Sequence, residues 1–280
     1  MRQGLDGMNG YEGLLAVAKE VALLAADRVE EGSRRTVVVA GSKSSPVDVV
    51  TEVDQDVERL IHGRLAALRP GDGFIGEEGG RSGSETGISW LVDPIDGTVN
   101  FLYGLPQYSV SIAALEDGRP VAGVVVDVAR RECFEATLGG GARCDGRPIA
   151  VRPVVPLEQR LVLTGFNYVA EVRAKQADAA ARLLREVRDI RRLGSAALDL
   201  CAVGAGRADG YVEEGLHPWD GAAGGLVATE AGATLRTRPG VGGTDCYLCA
   251  PAGGFEEFSA LVERCGFLAD TGEYSSADRE

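Results

Sequence analysis

Between Ile88 and Phe101 a short apolar run breaks into two acids that bracket Pro-Ile, and no other stretch limits the folding of this chain so sharply. Trp90-Leu91-Val92 is rich in strand formers, which predicts a strand whose end delivers Asp93 to a sheet edge. Pro94 has no N–H and a locked φ, so the strand is expected to stop there. Gly97 permits a tight bend, by which Asp93 and Asp96 turn back toward one point instead of alternating across a strand. Thr98 can then cap a following helical turn, leaving the backbone N–H groups around Gly97 and Thr98 aimed at an anion. Two carboxylates beside an anion site repel the anion unless a divalent cation lies between them. An all-oxygen set of this kind suits Mg²⁺ and not zinc. The bland alternative, an Asp-Pro turn followed by a surface Asp-Gly turn, does not require the strand, the Pro, the Gly and the Thr together.

The bulk composition is compatible with that chemistry. The 280 residues suffice for one large domain or two smaller ones sharing a cleft. A formal net charge of −13 argues against nucleic acid or an anionic membrane as the main partner. A phosphate-bearing substrate would then depend on metal ions for local positive charge. No apolar run reaches the length of a membrane helix and the N-terminus lacks a signal-peptide pattern, so a cytoplasmic protein is expected. The six cysteines are too sparse for a disulfide framework. Cys246-Tyr-Leu-Cys249 has a zinc or redox spacing, but it falls in an expected strand with no second pair to answer it, and buried reduced thiols are expected.

Taken in order, Tyr11 to Glu31 reads as an amphipathic helix, Val37 to Ala40 as a short strand, and Gly41 to Pro46 as a loop. A helix then runs to Leu68, capped by Thr51 or Asp54. Gly73-Phe74-Ile75-Gly76 repeats the device of a strand that ends in acid, which makes Glu77 a third candidate ligand. Strands over Tyr108–Leu115, Val121–Asp127 and Cys133–Thr137 are expected to be antiparallel, the first two joined by a turn at Glu116 to Pro120. After about residue 152 strands alternate with helices, which implies an α/β layer. There Gly210 to Glu213 is a short strand, and Asp220 opens a helix of small residues over Ala222–Ala231 as N-cap, metal ligand or both. The division expected is 1–152, an α+β unit with most of the ligands; 153–270, an α/β unit with Asp220 and the specificity residues; and a frayed tail over 271–280. Of the two histidines, His62 lies on a helix away from any motif and His217 is expected to pack or hydrogen-bond in its loop.

The stretch Trp90-Leu91-Val92-Asp93-Pro94-Ile95-Asp96-Gly97-Thr98-Val99-Asn100-Phe101 resembles the first motif of the inositol monophosphatase family, departing mainly at Val99. Trp219-Asp220-Gly221-Ala222-Ala223-Gly224 resembles the second, and Gly76-Glu77-Glu78 and Lys43 to Asp54 match two further segments. This resemblance implies a layered α-β-α-β-α sandwich, its sheet antiparallel in the first half and mixed in the second. It implies a Mg²⁺-dependent, lithium-sensitive phosphomonoesterase with two or three Mg²⁺ per site, and a homodimer. By the same resemblance Glu77, Asp93, the Ile95 carbonyl, Asp96 and Asp220 would hold the metals, and Gly97 and Thr98 would bind phosphate. Thr98 with Glu77 would orient the attacking water, Asp54 would assist, and Gly194, Ser195, Ala196 and Glu213 would meet the polyol.

The substrate implied is myo-inositol 1-phosphate. Histidinol phosphate, fructose 1,6-bisphosphate and a 3′-phosphonucleotide stay open, because the metal motifs do not separate them. A carboxylate at Glu213 favours vicinal hydroxyls or a cationic amino alcohol over a second phosphate. A non-catalytic binding or regulatory protein on the same fold is the alternative of another class. It would have to keep a carboxylate cluster whose self-repulsion serves no purpose without metal.

Overall fold

The computed structural model describes residues 10–34, 39–42 and 49–269. The start of the expected 37–40 strand, the Lys43 to Asp48 segment and the expected tail lie outside these residues. The first half runs α1 (Gly10–Ser33), β1 (Val39–Ser42), β2 (Val49–Thr51), α2 (Glu52–Leu68), β3 (Gly73–Gly76), β4 (Arg81–Ser82), β5 (Ile88–Asp96), α3 (Thr98–Tyr103), β6 (Ser109–Glu116), β7 (Arg119–Asp127), β8 (Glu132–Thr137), β9 (Gly141–Cys144) and β10 (Arg147–Pro148). The second runs β11 (Leu161–Thr164), α4 (Ala170–Leu183), β12 (Asp189–Arg191), α5 (Ala196–Gly204), β13 (Gly210–Glu214), α6 (Pro218–Glu230), β14 (Ala233–Pro239), β15 (Asp245–Pro251) and α7 (Phe255–Cys265).

Strand periodicity sorts these elements into layers. On the large sheet, ordered β10-β9-β8-β7-β6-β5-β3-β4, Trp90, Val92, Val110, Ile112, Val124 and Val126 share one face and pack on Ala18, Val21 and Ala22 of α1 and on Val57 and Ile61 of α2. Their neighbours Leu91, Ala113 and Val125 point the other way, onto Ala197 and Cys201 of α5 and Ala223 and Val227 of α6. The far side of that helix pair meets Leu163, Tyr211 and Cys249 of the small sheet, ordered β12-β11-β13-β15-β14. The opposite face of the small sheet, with Val162, Val212 and Leu248, is covered by Ala179 and Leu183 of α4 and Phe258 and Leu261 of α7. The result is helix, sheet, helix, sheet, helix.

The small sheet is mixed, as expected: β11 is parallel to β12 and β13, while β15 is antiparallel to β13 and β14. The large sheet departs from the expected antiparallel order at one place, where β3 pairs in parallel with β5. That pairing sets Gly76 beside Val92 and brings the chain after β3 to the same edge as Asp93. Pro94 does not stop β5 either. The strand continues to Asp96 through a one-residue bulge, since Asp93 faces Ser111 but Asp96 faces Ser109, and a bulge tolerates a residue without an N–H. The β6–β7 hairpin has the expected tight turn, with Asp117 at φ 50° and Gly118 at φ 76°.

Cys133, Cys201, Cys246, Cys249 and Cys265 are buried free thiols, and Cys144 is half-buried. Cys246 and Cys249 lie three apart in β15 and so point to opposite faces, one into each core, which removes a shared metal or redox role. No described helix is long and apolar enough to cross a membrane.

The middle layer explains the small residues of α6. A Cβ at Gly224 would stand 2.6 Å from the Ala197 carbonyl oxygen, and one at Gly123 would stand 3.0 Å from the Ala223 Cα. Backbone cannot yield as a side chain can. Gly224→Ala is therefore expected to lower stability in urea by about 1–3 kcal/mol. Gly63→Ala, in open space on α2, should raise it by about 0.5–1 kcal/mol. Equal behaviour of the two variants would contradict this packing.

Candidate active site

At the bulged end of β5 the ends of β3 and β13 and the first turns of α3, α5 and α6 surround a cavity of about 520 Å³. Ten of the residues singled out in the sequence line it: Glu77, Asp93, Ile95, Asp96, Gly97, Thr98, Gly194, Ala196, Glu213 and Asp220. Asp54 and Ser195 lie behind the wall, each bonded to a residue that lines it.

Asp54 turns out to be both a cap and a neighbour of the site. Thr51 is the N-cap of α2, and Asp54 at the third helical position accepts from the Thr51 N–H at 2.8 Å on Oδ2, which closes a capping box. The other oxygen accepts from Thr98 Oγ1 at 3.1 Å. Thr98 is not the cap of α3, contrary to expectation. Gly97, at φ 93°, holds that position, and a Cβ there would stand 2.9 Å from the Gln107 carbonyl and 3.0 Å from that of Gly194. Thr98 Oγ1 instead lies between Asp54 and the Ile95 carbonyl, 2.9 Å away.

Asp96 is engaged across the midline of the molecule. Its carboxylate accepts from Ser195 Oγ at 2.5 Å, from Ala197 N at 2.8 Å and from Ala196 N at 3.3 Å, and so satisfies the first N–H groups of α5. Ser195, expected to meet a substrate, is the N-cap of α5 and faces Asp96. Asp93 follows Leu91 onto the inner face of the sheet, and its Oδ1 is buried without a hydrogen-bond partner. Its neighbour across the sheet, Ser111, donates to the Trp219 carbonyl at 3.4 Å. Glu77 follows β3, its N–H bonded to the Val92 carbonyl at 3.1 Å. Buried Glu58 shapes that turn by accepting from Glu78 N at 2.7 Å and Gly80 N at 2.9 Å. Asp220 is the third helical residue of α6 and not its N-cap: Pro218 starts the helix, and Asp220 reaches back to the His217 N–H at 2.7 Å. His217 stacks on Trp219 with ring centres 4.9 Å apart, the packing role expected of it.

Crowding shows in the proton affinities. Burial, then the charges of Glu77, Asp96 and Asp220, push Asp93 well above the usual carboxylate range. Burial raises Asp96 to about 6 against the bonds from Ser195 and Ala197. Asp220 is raised by burial, then by Asp96 and Glu77. Among the described residues no three Asp, Glu, His or Cys side chains form a ready-made cage round one point. A cation here would take one or two carboxylates at a time, with carbonyl oxygen and water completing its shell, which is how Mg²⁺ binds. The lone Asp93 oxygen and the all-oxygen donor set fit that ion.

A profile of the inositol monophosphatase family matches residues 10–256. The chain belongs to that family. The inositol-1-monophosphatase SuhB of Mycobacterium tuberculosis is 48% identical over 241 residues, spanning 80% of this chain and 81% of its own. The solved structure of Mycobacterium tuberculosis SuhB superposes with a TM-score of 0.81 at 41% identity, covering 94% of this chain and all of that one. The Escherichia coli protein named Nus factor SuhB is 38% identical over 221 residues, 78% of this chain and 83% of its own. The fold is thus that of the inositol monophosphatases, and the chain is of a phosphatase type.

At the other end of this cavity lies Glu213, one residue before the end of β13. Burial raises its carboxyl to about 7 against a hydrogen bond from Tyr211 OH at 2.8 Å and the Arg192 charge. Sequence reasoning missed Tyr211, two residues before Glu213 on the same strand face, a spacing that could have shown it. It also missed Asn100, whose Nδ2 donates to the Gln107 and Leu193 carbonyls at 2.8 Å and ties the first motif to the Gly194 loop. Asp199 was missed as well. It is buried on α5 with neither oxygen hydrogen-bonded, and an apolar helix gives no signal for it.

If the acids repel as described, Asp93→Asn should stabilise the metal-free protein. Asp93 has a raised folded pKa, so the wild type is penalised once pH exceeds the unfolded value near 4, fully so above the folded value. The melting-temperature gain of the variant should be absent at pH 3.5, widen toward neutral pH to about 2–4 °C per kcal/mol recovered, and shrink when Mg²⁺ is added to both proteins. A variant that melts lower than the wild type at pH 7.5 without metal would contradict the repulsion.

Proposed function

We propose that the chain hydrolyses small phosphate monoesters with Mg²⁺, myo-inositol 1-phosphate being the substrate that the site suits best. The observation that carries this reading is the convergence of Glu77, of Asp93 and Asp96 on β5, and of Asp220, from three separate places in the chain, on one cavity that also holds the Gly97-Thr98 turn. Support also comes from the relatives named inositol-1-monophosphatase, while others are named Nus factors. A protein that only binds a partner would have no use for a buried carboxylate with an unbonded oxygen at this point.

In this reading Glu77, Asp93, the Ile95 carbonyl, Asp96 and Asp220 would hold two or three Mg²⁺. Bound there, Mg²⁺ would supply Lewis-acid stabilisation of charge on the phosphate and the leaving oxygen and would lower the pKa of water. The open backbone of Gly97 and Thr98 receives the phosphate. Asp54 accepts the Thr98 proton, so the Thr98 hydroxyl oxygen keeps its lone pairs for the proton of water, which Glu77 also orients. The water is thereby aligned for in-line attack, and no protein nucleophile takes part. Glu213 accepts hydrogen bonds from the hydroxyls of the alcohol, with Gly194 and Ala196 forming the floor.

Asp93→Asn is expected to cut turnover by at least about 10², the price of the stability it gains. Wild-type phosphate release should vanish with a chelator, return with Mg²⁺ and fall with lithium. Near-normal turnover by Asp93→Asn, or rescue by zinc alone, would remove the assignment.

A second experiment concerns Glu213. Glu213→Gln should lose about 1–3 kcal/mol in kcat/KM on myo-inositol 1-phosphate and little on p-nitrophenyl phosphate. Because the acid titrates at about 7, the preference of the wild type for the polyol ester should rise from pH 6 to pH 8 as Glu213 ionises. The Gln variant should show no such rise. Equal losses on both esters would return Glu213 to a supporting role.

A further inference from the structure

The polyol end of the cavity contains one cation among acids. Arg192 is the single lysine or arginine among the described residues that line it. It is exposed, and among the described residues its guanidinium makes no hydrogen bond or ion pair. Several other arginines of this acidic chain pair with acids, as Arg28 does with Asp56, Arg160 with Glu257 and Arg207 with Glu132, but none of these lines the cavity. An unpaired guanidinium beside several carboxylates has its donors open to a ligand.

Two glycines seat this end of the site. A Cβ on Gly194 would stand 2.3 Å from Arg192 Nη1, and at φ 93° that position favours glycine in any case. A Cβ on Gly165 would stand 1.9 Å from Glu213 Cδ. Guanidinium and carboxylate thus lie close against backbone on the wall of one cavity, with Glu213 steadied by Tyr211. The Arg192 charge opposes the upward push on both Glu213 and Asp199, so it stands within electrostatic reach of each without bonding to either.

The chemistry of the pair limits what it can read. A guanidinium only donates and a carboxylate only accepts, whereas a hydroxyl does both. A hydroxyl placed between them would be fixed at its oxygen and at its proton. A second phosphate would meet Arg192, but also Glu213 in the cavity wall and Asp199 behind it. Neutral hydroxyls are the better match.

On the phosphatase reading above, we infer that Arg192 is a specificity-determining residue, which donates to the oxygens of the polyol hydroxyls whose protons Glu213 accepts. The test compares the wild type, Arg192→Ala and Arg192→Lys at saturating Mg²⁺ on myo-inositol 1-phosphate, p-nitrophenyl phosphate and fructose 1,6-bisphosphate, with melting curves to confirm folding. Arg192→Ala should lose about 10- to 100-fold in kcat/KM on the inositol ester, the scale of a hydrogen bond to a charged group, and less than about 3-fold on the featureless ester. Arg192→Lys should fall between, because it keeps the charge and loses the fork. Equal losses on all three esters, or none, would overturn the inference and leave the phosphatase reading in place. A loss larger on the bisphosphate than on the inositol ester would overturn it in favour of oxyanion recognition. A wild type that cleaves none of the three would remove the phosphatase reading, and this inference with it.

Discussion

The carboxylate of Asp96 is the interaction on which the rest depends. It stands at the last residue of β5 and accepts the Ser195 hydroxyl and the Ala196 and Ala197 N–H groups at the start of α5. The end of the large sheet is thereby fastened to the helix layer beneath the small sheet. One residue on, Gly97 packs its backbone against the Gly194 carbonyl, and Asn100 reaches the Leu193 carbonyl. Three consecutive contacts between segments almost a hundred residues apart fix the cavity between them. Its phosphate end and its polyol end are therefore parts of one junction and not of two independently placed loops.

That junction is built against its own electrostatics. Asp93, Asp96 and Asp220 are all raised in proton affinity by burial and by one another or by Glu77, and Asp93 keeps an oxygen without a hydrogen bond. A chain selected for stability alone would not retain that arrangement, since an uncompensated buried acid is costly. The cost is borne by the rest of the fold: the bulge at Pro94, the capping box at Thr51 and Asp54, and the close packing of α6 between two sheets. A divalent cation would reverse the sign of the interaction at the one place where the fold is least satisfied.

Much of this was legible in the sequence. The apolar run from Trp90 to Val92 marked a strand that carries Asp93, and small residues after Asp220 marked a tightly packed helix. What local patterns could not show were long-range pairings. Nothing in Gly73 to Gly76 announces that β3 lies parallel to β5, yet that pairing brings Glu77 to Asp93. Pro94 read as a stop because its missing N–H is a local fact, while the bulge that accommodates it depends on β6. Asp54 read as a cap or a site residue because a sequence does not show that one carboxylate has two oxygens facing two ways. Pro218, a common first helical residue, could have placed the start of α6 before Asp220. Arg192 and Asp199 carried no signal: one follows another arginine and the other interrupts an apolar helix, and each acquires meaning only from what folds beside it.

The central claim is that the acids at this junction form a cation site. Diffraction from crystals soaked in Mn²⁺, an octahedral oxygen-seeking ion that substitutes for Mg²⁺ and scatters anomalously, tests it directly. The account predicts anomalous peaks within coordination distance of Asp93 and of at least two of Glu77, Asp96, Asp220 and the Ile95 carbonyl. A fully loaded crystal with no peak there, or with Mn²⁺ bound only on the outer surface, would contradict it.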